Sequence, residues 1–533
     1  MKRTLNTIVV FILFYTLSNA QTEFDASKIL QSNINGTARY MGMAGAMGAV
    51  GGDATAIKDN PAGIGLYKQS ELSATGNLQL QKSNATWYSG KGFYSLMNIG
   101  PNSFSFVLVP ESDKKSQPKD KKDKKKKRQA GMFSNNYAFS YNKLKNFYRT
   151  SYLSSNANAT TTSIIDYIAF HTPKIVTAAN LKTNAFTTEN IPWISGLTYN
   201  NLDSLIIKNK DDSQSPWLSA LGNSELITPS YYISEKGSID EYSFGWAGSY
   251  NNLIHLGATA NLQTVNYSSL GEYTETQQLG RTLKVKDSIS TKGFGINFKV
   301  GAIICPNEFL RFGISVQTPT IYSLKDNFNG QLTYNKGTLN IANKTPIGSA
   351  EYKLQNLTQF IVSAAYIYGE KGIFSAEFDY SRNSRATFED KNGSPLNYIK
   401  ENQAIKKNLK NIGRLKIGGE YNINENITVR AGYAFTSSST DENANETLRE
   451  NTKRIDTQYL LGSKNSYESV GVGYHKDKWS VDLAFTNQIV NETFQPYNYD
   501  GLALNTLDPL KTLSPGKIKT SLNNIVVSFG YKL

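Results

Sequence analysis

Residues 427–435 read ITVRAGYAF. Ile427, Val429, Ala431, Tyr433 and Phe435 alternate with Thr428, Arg430, Gly432 and Ala434. A period of two puts one set on each face of a strand, so this stretch has an apolar face and a second face able to carry Arg430. The pattern recurs. Phe374, Ala376, Phe378 and Tyr380 alternate with Ser375, Glu377 and Asp379, and Trp479, Val481, Leu483 and Phe485 with Ser480, Asp482 and Ala484. Ile525, Val527, Phe529, Tyr531 and Leu533 share one face at the end of the chain. Strands are expected near 70–82, 102–110, 131–145, 238–250, 253–267, 291–304, 309–323, 357–368, 373–385, 411–422, 427–437, 466–475, 479–490 and 521–533.

The connections sort by length. Tight turns fall at Asn251-Asn252, Pro306-Asn307-Glu308, Gly369-Glu370-Lys371-Gly372, Asn424-Glu425-Asn426 and Asp477-Lys478. Long loops are expected at 83–101, 146–237, 268–290, 324–356, 386–410, 438–465 and 491–520. Short turns on one side and long loops on the other are the habit of outer-membrane barrels. The expected fold is therefore all-β: a 14-stranded antiparallel transmembrane β-barrel over 70–533. An even strand count puts both barrel ends at the periplasm.

The other bulk signals agree. Lys2 and Arg3 precede the apolar Ile8–Leu17 and the small-residue site Ser18-Asn19-Ala20, so residues 1–20 read as a signal peptide. No later run reaches the apolar length of a helical span. One cysteine, Cys305 in the apolar GAIICP, excludes an intrachain disulfide and reads as a buried strand residue. The net charge of +14 is partly local, since 111–128 hold ten Lys or Arg against four Asp or Glu. Parity places this tract, bounded at 111–130, in a periplasmic turn. It reads as a solvated charge run, with anionic headgroups as the sharper alternative.

Residues 21–69 are of another kind. In 36–67, 15 of 32 residues are Gly or Ala, without alternation. Small residues let backbone pack on backbone, and the lumen of so wide a barrel is not filled by its wall side chains. The segment is expected to fold inside the lumen as a hatch. Asn60-Pro61-Ala62-Gly63 would form a turn, Pro61 fixing φ and Gly63 relieving the next bend.

These residues carry a resemblance. Asn35–Ala46 (NGTARYMGMAGA), Gly52-Asp53-Ala54-Thr55-Ala56 and Asn60-Pro61-Ala62-Gly63 resemble the N-terminal hatch of the FadL/TodX family. That family moves long-chain fatty acids and aromatic hydrocarbons across the outer membrane through plugged 14-stranded barrels. The resemblance implies passive uptake of hydrophobic small molecules, with Asn60, Pro61, Ala62 and Gly63 on the ligand path and the hatch as gate. It also implies a sideways exit at the third strand, which here carries Asn135-Asn136 and no proline.

Other candidates follow from composition. The longest loop carries Ile165 and Ile168 on a short amphipathic pattern, and Trp193 and Ile194 beyond it, which would form an extracellular apolar groove or pack the loop onto the rim. Glu377, Asp379, Arg414, Lys416, Arg430 and Asp482 face inward and can pair across strands. The three histidines, His171, His255 and His475, have no serine motif beside them, so lipid hydrolysis finds no support. No metal-ligand spacing or phosphate loop occurs, so no metal and no cofactor is expected. Expected partners are a hydrophobic ligand, outer-membrane lipids and the assembly machinery that reads the terminal strand, without nucleic acid and as a monomer. A non-transporting surface barrel, acting as adhesin or receptor through its loops, is the rival reading; it needs neither plug nor pocket.

Overall fold

The outward faces of the strands show where lipid ends. The computed structural model describes residues 20–110, 133–171, 205–208, 217–220, 225–356, 358–444, 454, 456–497 and 514–533. Fourteen of its strands close the wall. These are β1 (Glu71–Trp87), β2 (Gly90–Leu108), β3 (Phe133–Asn146), β4 (Ile227–Tyr250), β5 (Ile254–Gln277), β6 (Thr282–Ile304) and β7 (Leu310–Gln317). They continue with β8 (Gln359–Tyr368), β9 (Gly372–Ser381), β10 (Ile412–Asn422), β11 (Ile427–Thr436), β12 (Asn465–Lys476), β13 (Trp479–Gln495) and β14 (Gly516–Lys532). Each pairs antiparallel with the next, and β14 pairs with β1, from Glu71↔Lys532 to Thr86↔Lys517.

On β5 the outward residues run Ile254, Leu256, Ala258, Ala260, Leu262, then Thr264, Asn266 and Ser268. On β6 they run Ile304, Ala302, Val300, Phe298, Ile296, Phe294, then Lys292, Ser290 and Ser288. The registers agree, since Ile254 faces Ile304 and Thr264 faces Phe294. Eleven residues on a tilted strand give an apolar band of about 25 Å, the height of an outer-membrane hydrocarbon belt. At its periplasmic edge Trp479 packs on Tyr531 and Phe529, with ring centroids 4.3 and 4.9 Å apart.

Above the belt the wall continues as a water-facing collar. β4, β5 and β6 have 24, 24 and 23 residues. The expected loops at 83–101 and 268–290 are instead mostly paired strand, β1 meeting β2 at Tyr88-Ser89 and β5 running to Gln277. In the expected loop 324–356, Ile321–Lys336 pairs with β6, and Gly348–Gln355 pairs back onto it. Pro319, without an N–H, separates this strand from β7. Segments 83–101, 268–290 and 324–356 look like loops in sequence because the alternation changes sense above the belt: the outward face turns polar, and apolar residues such as Tyr273, Leu283, Val285 and Leu332 face the lumen. Cys305 lies past the end of β6, half-buried in the turn, where its N–H donates to Leu253 O.

Residues 20–70 fill the lumen. Helix α1 (Glu23–Leu30) lies uppermost. Below it come α2 (Ala38–Gly42) and two 3-10 turns, Ala54–Lys58 and Pro61–Leu66. Nearly all of this segment is buried. Among the described residues no helix is long and apolar enough to cross a membrane.

Candidate transport path

The wall holds the plug mainly by its backbone. Asn136 Nδ2 donates to Ile64 O and Tyr67 O at 2.8 and 3.1 Å, Ser249 Oγ to Gly65 O at 2.8 Å, and Arg311 Nη1 to Val50 O at 2.6 Å. Lys299 Nζ and Ser315 Oγ reach Lys58 O and Asp59 O. Glu377 accepts from Gly48 N–H at 2.7 Å while Lys416 pairs with it at 2.6 Å. Arg39 of α2 grips Glu420 with two bonds of 2.8 and 3.0 Å; Arg430 binds the same carboxylate at 2.6 Å and Asp482 at 2.5 Å. The inward set read from alternation thus lies together, as register requires: Glu377 faces Lys416 and Asp379 faces Arg414. Arg39 and Glu420 were not singled out, because residues so far apart leave no local signal.

Asn60-Pro61-Ala62-Gly63 lies deep in the plug. Asn60 Oδ1 accepts from Ala62 N–H at 3.1 Å and caps the turn that Pro61 opens. Its Nδ2 donates to Gly48 O at 2.8 Å and to Ala302 O at 3.2 Å. One side chain therefore joins two parts of the plug and β6. A Cβ at Gly301 would overlap Asn60 Oδ1, and one at Gly257 the backbone of Pro61. Asn60 is 1 % exposed, so the motif borders the lumen without opening into it.

Above the plug core, a chamber of about 150 Å³ lies beside α1. Phe24, Phe147, Leu460 and Leu522 supply apolar lining, and Lys28, Lys145, Arg149 and Arg414, with Glu235 and Glu492 among them, supply charge. Lys28 pairs with Glu235 at 2.9 Å and keeps 30 % of its side chain accessible. The chamber reaches the wall at Asn146 and Tyr148.

There the wall parts. β2 and β3 pair only from Ser103↔Asn142 to Leu108↔Tyr137, whereas β2 above Ser103 pairs with β1 alone. Leu144 is an extra residue on β3, since Lys143 faces Asp240 and Lys145 faces Ile239. This bulge bends the strand inward and reverses its alternation, turning Lys145, Phe147 and Arg149 into the lumen. The bent chain reaches past β2 to β1, by Asn146 Nδ2 to Gln79 Oε1 at 2.8 Å and by Thr150 to Gln81 through two bonds of 2.6 and 3.0 Å. The edge of β2 left behind carries Ile99, Met97 and Phe93, at 73, 63 and 60 % exposure.

A lid closes the extracellular end. Ile165 and Ile168, on helix α3 (Ile164–His171), are buried against an apolar cluster containing Trp87, Trp217, Tyr273 and Phe494. They do not line an open groove; Trp193 and Ile194 lie outside the described residues, as do the leader 1–19 and the Lys-rich tract. Glu275 of the collar fastens α3, accepting from Ser163 Oγ at 2.6 Å and Ile164 N–H at 2.7 Å. On the periplasmic side a vestibule of about 1350 Å³ opens under the plug, lined by Arg39, Asp53, Glu71, Glu420, Arg430 and Asp482. His255 is fully buried under the plug with Nδ1 2.6 Å from Ser249 Oγ, and His475 stands 3.9 Å from Asp482.

A closed barrel of this size, belted with apolar residues and plugged by its own N-terminal segment, is an outer-membrane transport barrel. The model of the outer-membrane transport protein family (OMPP1/FadL/TodX) matches residues 239–506, half of the chain, and the chain belongs to that family. It is similar in fold to a FadL homologue of Pseudomonas aeruginosa, with 12% identity, 94% of this chain and 99% of that one covered, and a TM-score of 0.51. The Pseudomonas putida toluene transporter TodX aligns over 95% of this chain and 100% of its own at 10% identity and a TM-score of 0.44. For the Ralstonia pickettii toluene transporter TbuX the figures are 94%, 99%, 12% and 0.45. No curated protein sequence matches the chain.

Proposed function

We propose that the chain is a passive channel for hydrophobic small molecules, of the long-chain fatty acid or aromatic hydrocarbon kind, and that the N-terminal hatch gates it. The observation that carries this reading is the conjunction of a blocked axis with a parted wall: a plug held on several sides, a chamber above it, and a β2 edge without a β3 partner at the level of the belt. A wet pore offers an apolar solute no gain on leaving water, whereas a chamber opening sideways toward lipid does. Ligand enters past the lid, rests beside α1 and leaves between β2 and β3 once a shift of the hatch, which holds Lys145 through Lys28 O, lets Asn146 release Gln79. A carboxylate-bearing ligand meets Lys28 and Arg414 in the chamber.

Uptake tests this. Cells making the intact chain are compared with cells lacking it and with cells making a deletion of residues 36–63. The intact chain is expected to speed uptake of a labelled fatty acid or aromatic hydrocarbon, and the deletion to lose that selectivity and admit small hydrophilic solutes. If the deletion leaves uptake of every apolar solute unchanged, the hatch is no gate and the reading fails.

A further inference from the structure

Four lysines stand on the outer face of three adjacent strands directly above the belt. Lys82 follows the outward Leu78 and Leu80 on β1. Lys519 and Lys517 follow the outward Ile525, Asn523 and Ser521 on β14, and Lys91 lies on the neighbouring top of β2. Register packs them together. Thr86 faces Lys517 on one side and Lys91 on the other, Asn84 faces Lys519, and Lys82 faces Ser521. With strands about 4.8 Å apart, Lys517 and Lys91 are roughly 10 Å from each other. All four are exposed.

Their neighbours on this face are neutral: Asn84, Thr86, Ser95, Ser521, Asn491 and Thr493. Among the described residues none of the four forms an ion pair. Two other collar lysines do, Lys284 with Glu272 at 2.7 Å and Lys325 with Glu351 at 2.9 Å. Four like charges on one rigid surface repel one another unless an anion lies among them. A strand face that begins one step above the belt stands at the depth of lipid headgroups.

We infer that this patch binds phosphate-bearing headgroups of outer-leaflet lipids. The patch is continuous with the lipid-facing belt and borders the unpaired edge of β2. Bound headgroups would thus line the bilayer beside the parted wall. Each lysine near an anionic surface adds to the attraction, and the contributions accumulate.

The test uses the full-length protein in detergent. Retention of a bisphosphorylated lipid A is read by native mass spectrometry for the intact protein, for a variant with Lys82, Lys91, Lys517 and Lys519 all changed to Gln, and for one with all four changed to Arg. The Gln variant is expected to lose about ten-fold or more in retention and the Arg variant to keep it. A control with the ion-paired Lys284 and Lys325 changed to Gln keeps it as well. Heat-modifiable migration establishes that each barrel is folded. Equal retention by the Gln variant overturns the inference. So does equal retention of the dephosphorylated lipid, and so does displacement of the lipid by inorganic phosphate at matched concentration, which marks a free-anion site.

Discussion

Asn60 occupies the space that a side chain at position 301 would need, so β6 is shaped to receive the plug at this point. The motif's one polar side chain makes its three hydrogen bonds to backbone groups, so it ties the turn to the rest of the plug and to β6. Gly301→Val is expected to push Asn60 off Ala302 and Gly48, an overpacking cost of about 1–3 kcal/mol. The barrel keeps its strands, which close without the plug. The check is conductance in planar bilayers together with circular dichroism: leak should rise while strand content holds. Asn-Pro-Ala is legible in sequence as a turn, but its glycine sockets are not, since Gly257 and Gly301 look like ordinary strand glycines until the plug lies against them.

Glu275 is the other residue with a decisive environment. It stands about 11 residues beyond the belt edge on β5, inside the lid, and burial pushes its pKa up to about 7, against the pull of Ser163, Ile164 N–H and Tyr273. An unfolded glutamate titrates near about 4.3. Between those values the folded protein holds a proton that the unfolded chain has lost, so stability falls as pH rises from about 4 to about 7 and then levels off. Thermal denaturation of the intact protein from about pH 5 to about pH 8 should show that decline, and Glu275→Gln should lessen it, leaving the share of Asp287, a second collar carboxyl that burial pushes up to about 7. A decline of the same size in the variant would place the titration elsewhere.

At the scale of elements, β3 deserves the closest reading. Its sequence from Tyr141 to Tyr148, YNKLKNFY, has no Gly or Pro to announce a break. The break comes from one surplus residue, Leu144, and the reversal of alternation it causes stays hidden in the sequence because polar and apolar residues occupy both faces of the strand there. Opening the wall this way leaves space at its lip. A Cβ on Gly100 would have only Lys143 Nζ within 4 Å, at 3.5 Å. Gly100→Trp is therefore expected to fit and to narrow the gap between β2 and β3. Uptake of an apolar solute should drop about ten-fold or more while thermal stability stays within about 0.5 kcal/mol. Undiminished uptake would mean that the solute leaves by another route.

For the whole molecule, legibility followed the solvent. Where lipid lies outside and polar lumen inside, as along Phe374–Tyr380 or Ile427–Phe435, the alternation is strict and the strands lie close to where the sequence puts them. The tight turns were legible for the same reason, since each falls between two such runs. Where water lies outside, as from Thr264 through Ser290, the outward face is polar and the apolar residues, Val265, Tyr273, Leu283 and Val285 among them, turn inward, so the alternation reverses its sense and strand resembles loop. The lid helix was readable from Ile164, Ile165 and Ile168, but whether those residues met solvent or one another depended on Trp87, Tyr273 and Phe494, which come from three distant strands. The ion pairs of the plug with the wall were half legible: the wall partners by parity, Arg39 not at all.

The collar also fixes a height. From Thr264 to Gln277 the wall rises some 13 residues, roughly 40 Å along the strand, before the lid begins. An outer leaflet built of glycolipid carries a dense carbohydrate layer over its hydrocarbon, and an oily solute that reaches this layer from water is turned back by it. The tall wall lifts the mouth of the channel through the sugars like a chimney. On the path proposed above, cargo would reach hydrocarbon at the foot, so that the carbohydrate barrier is passed by without ever being dissolved in.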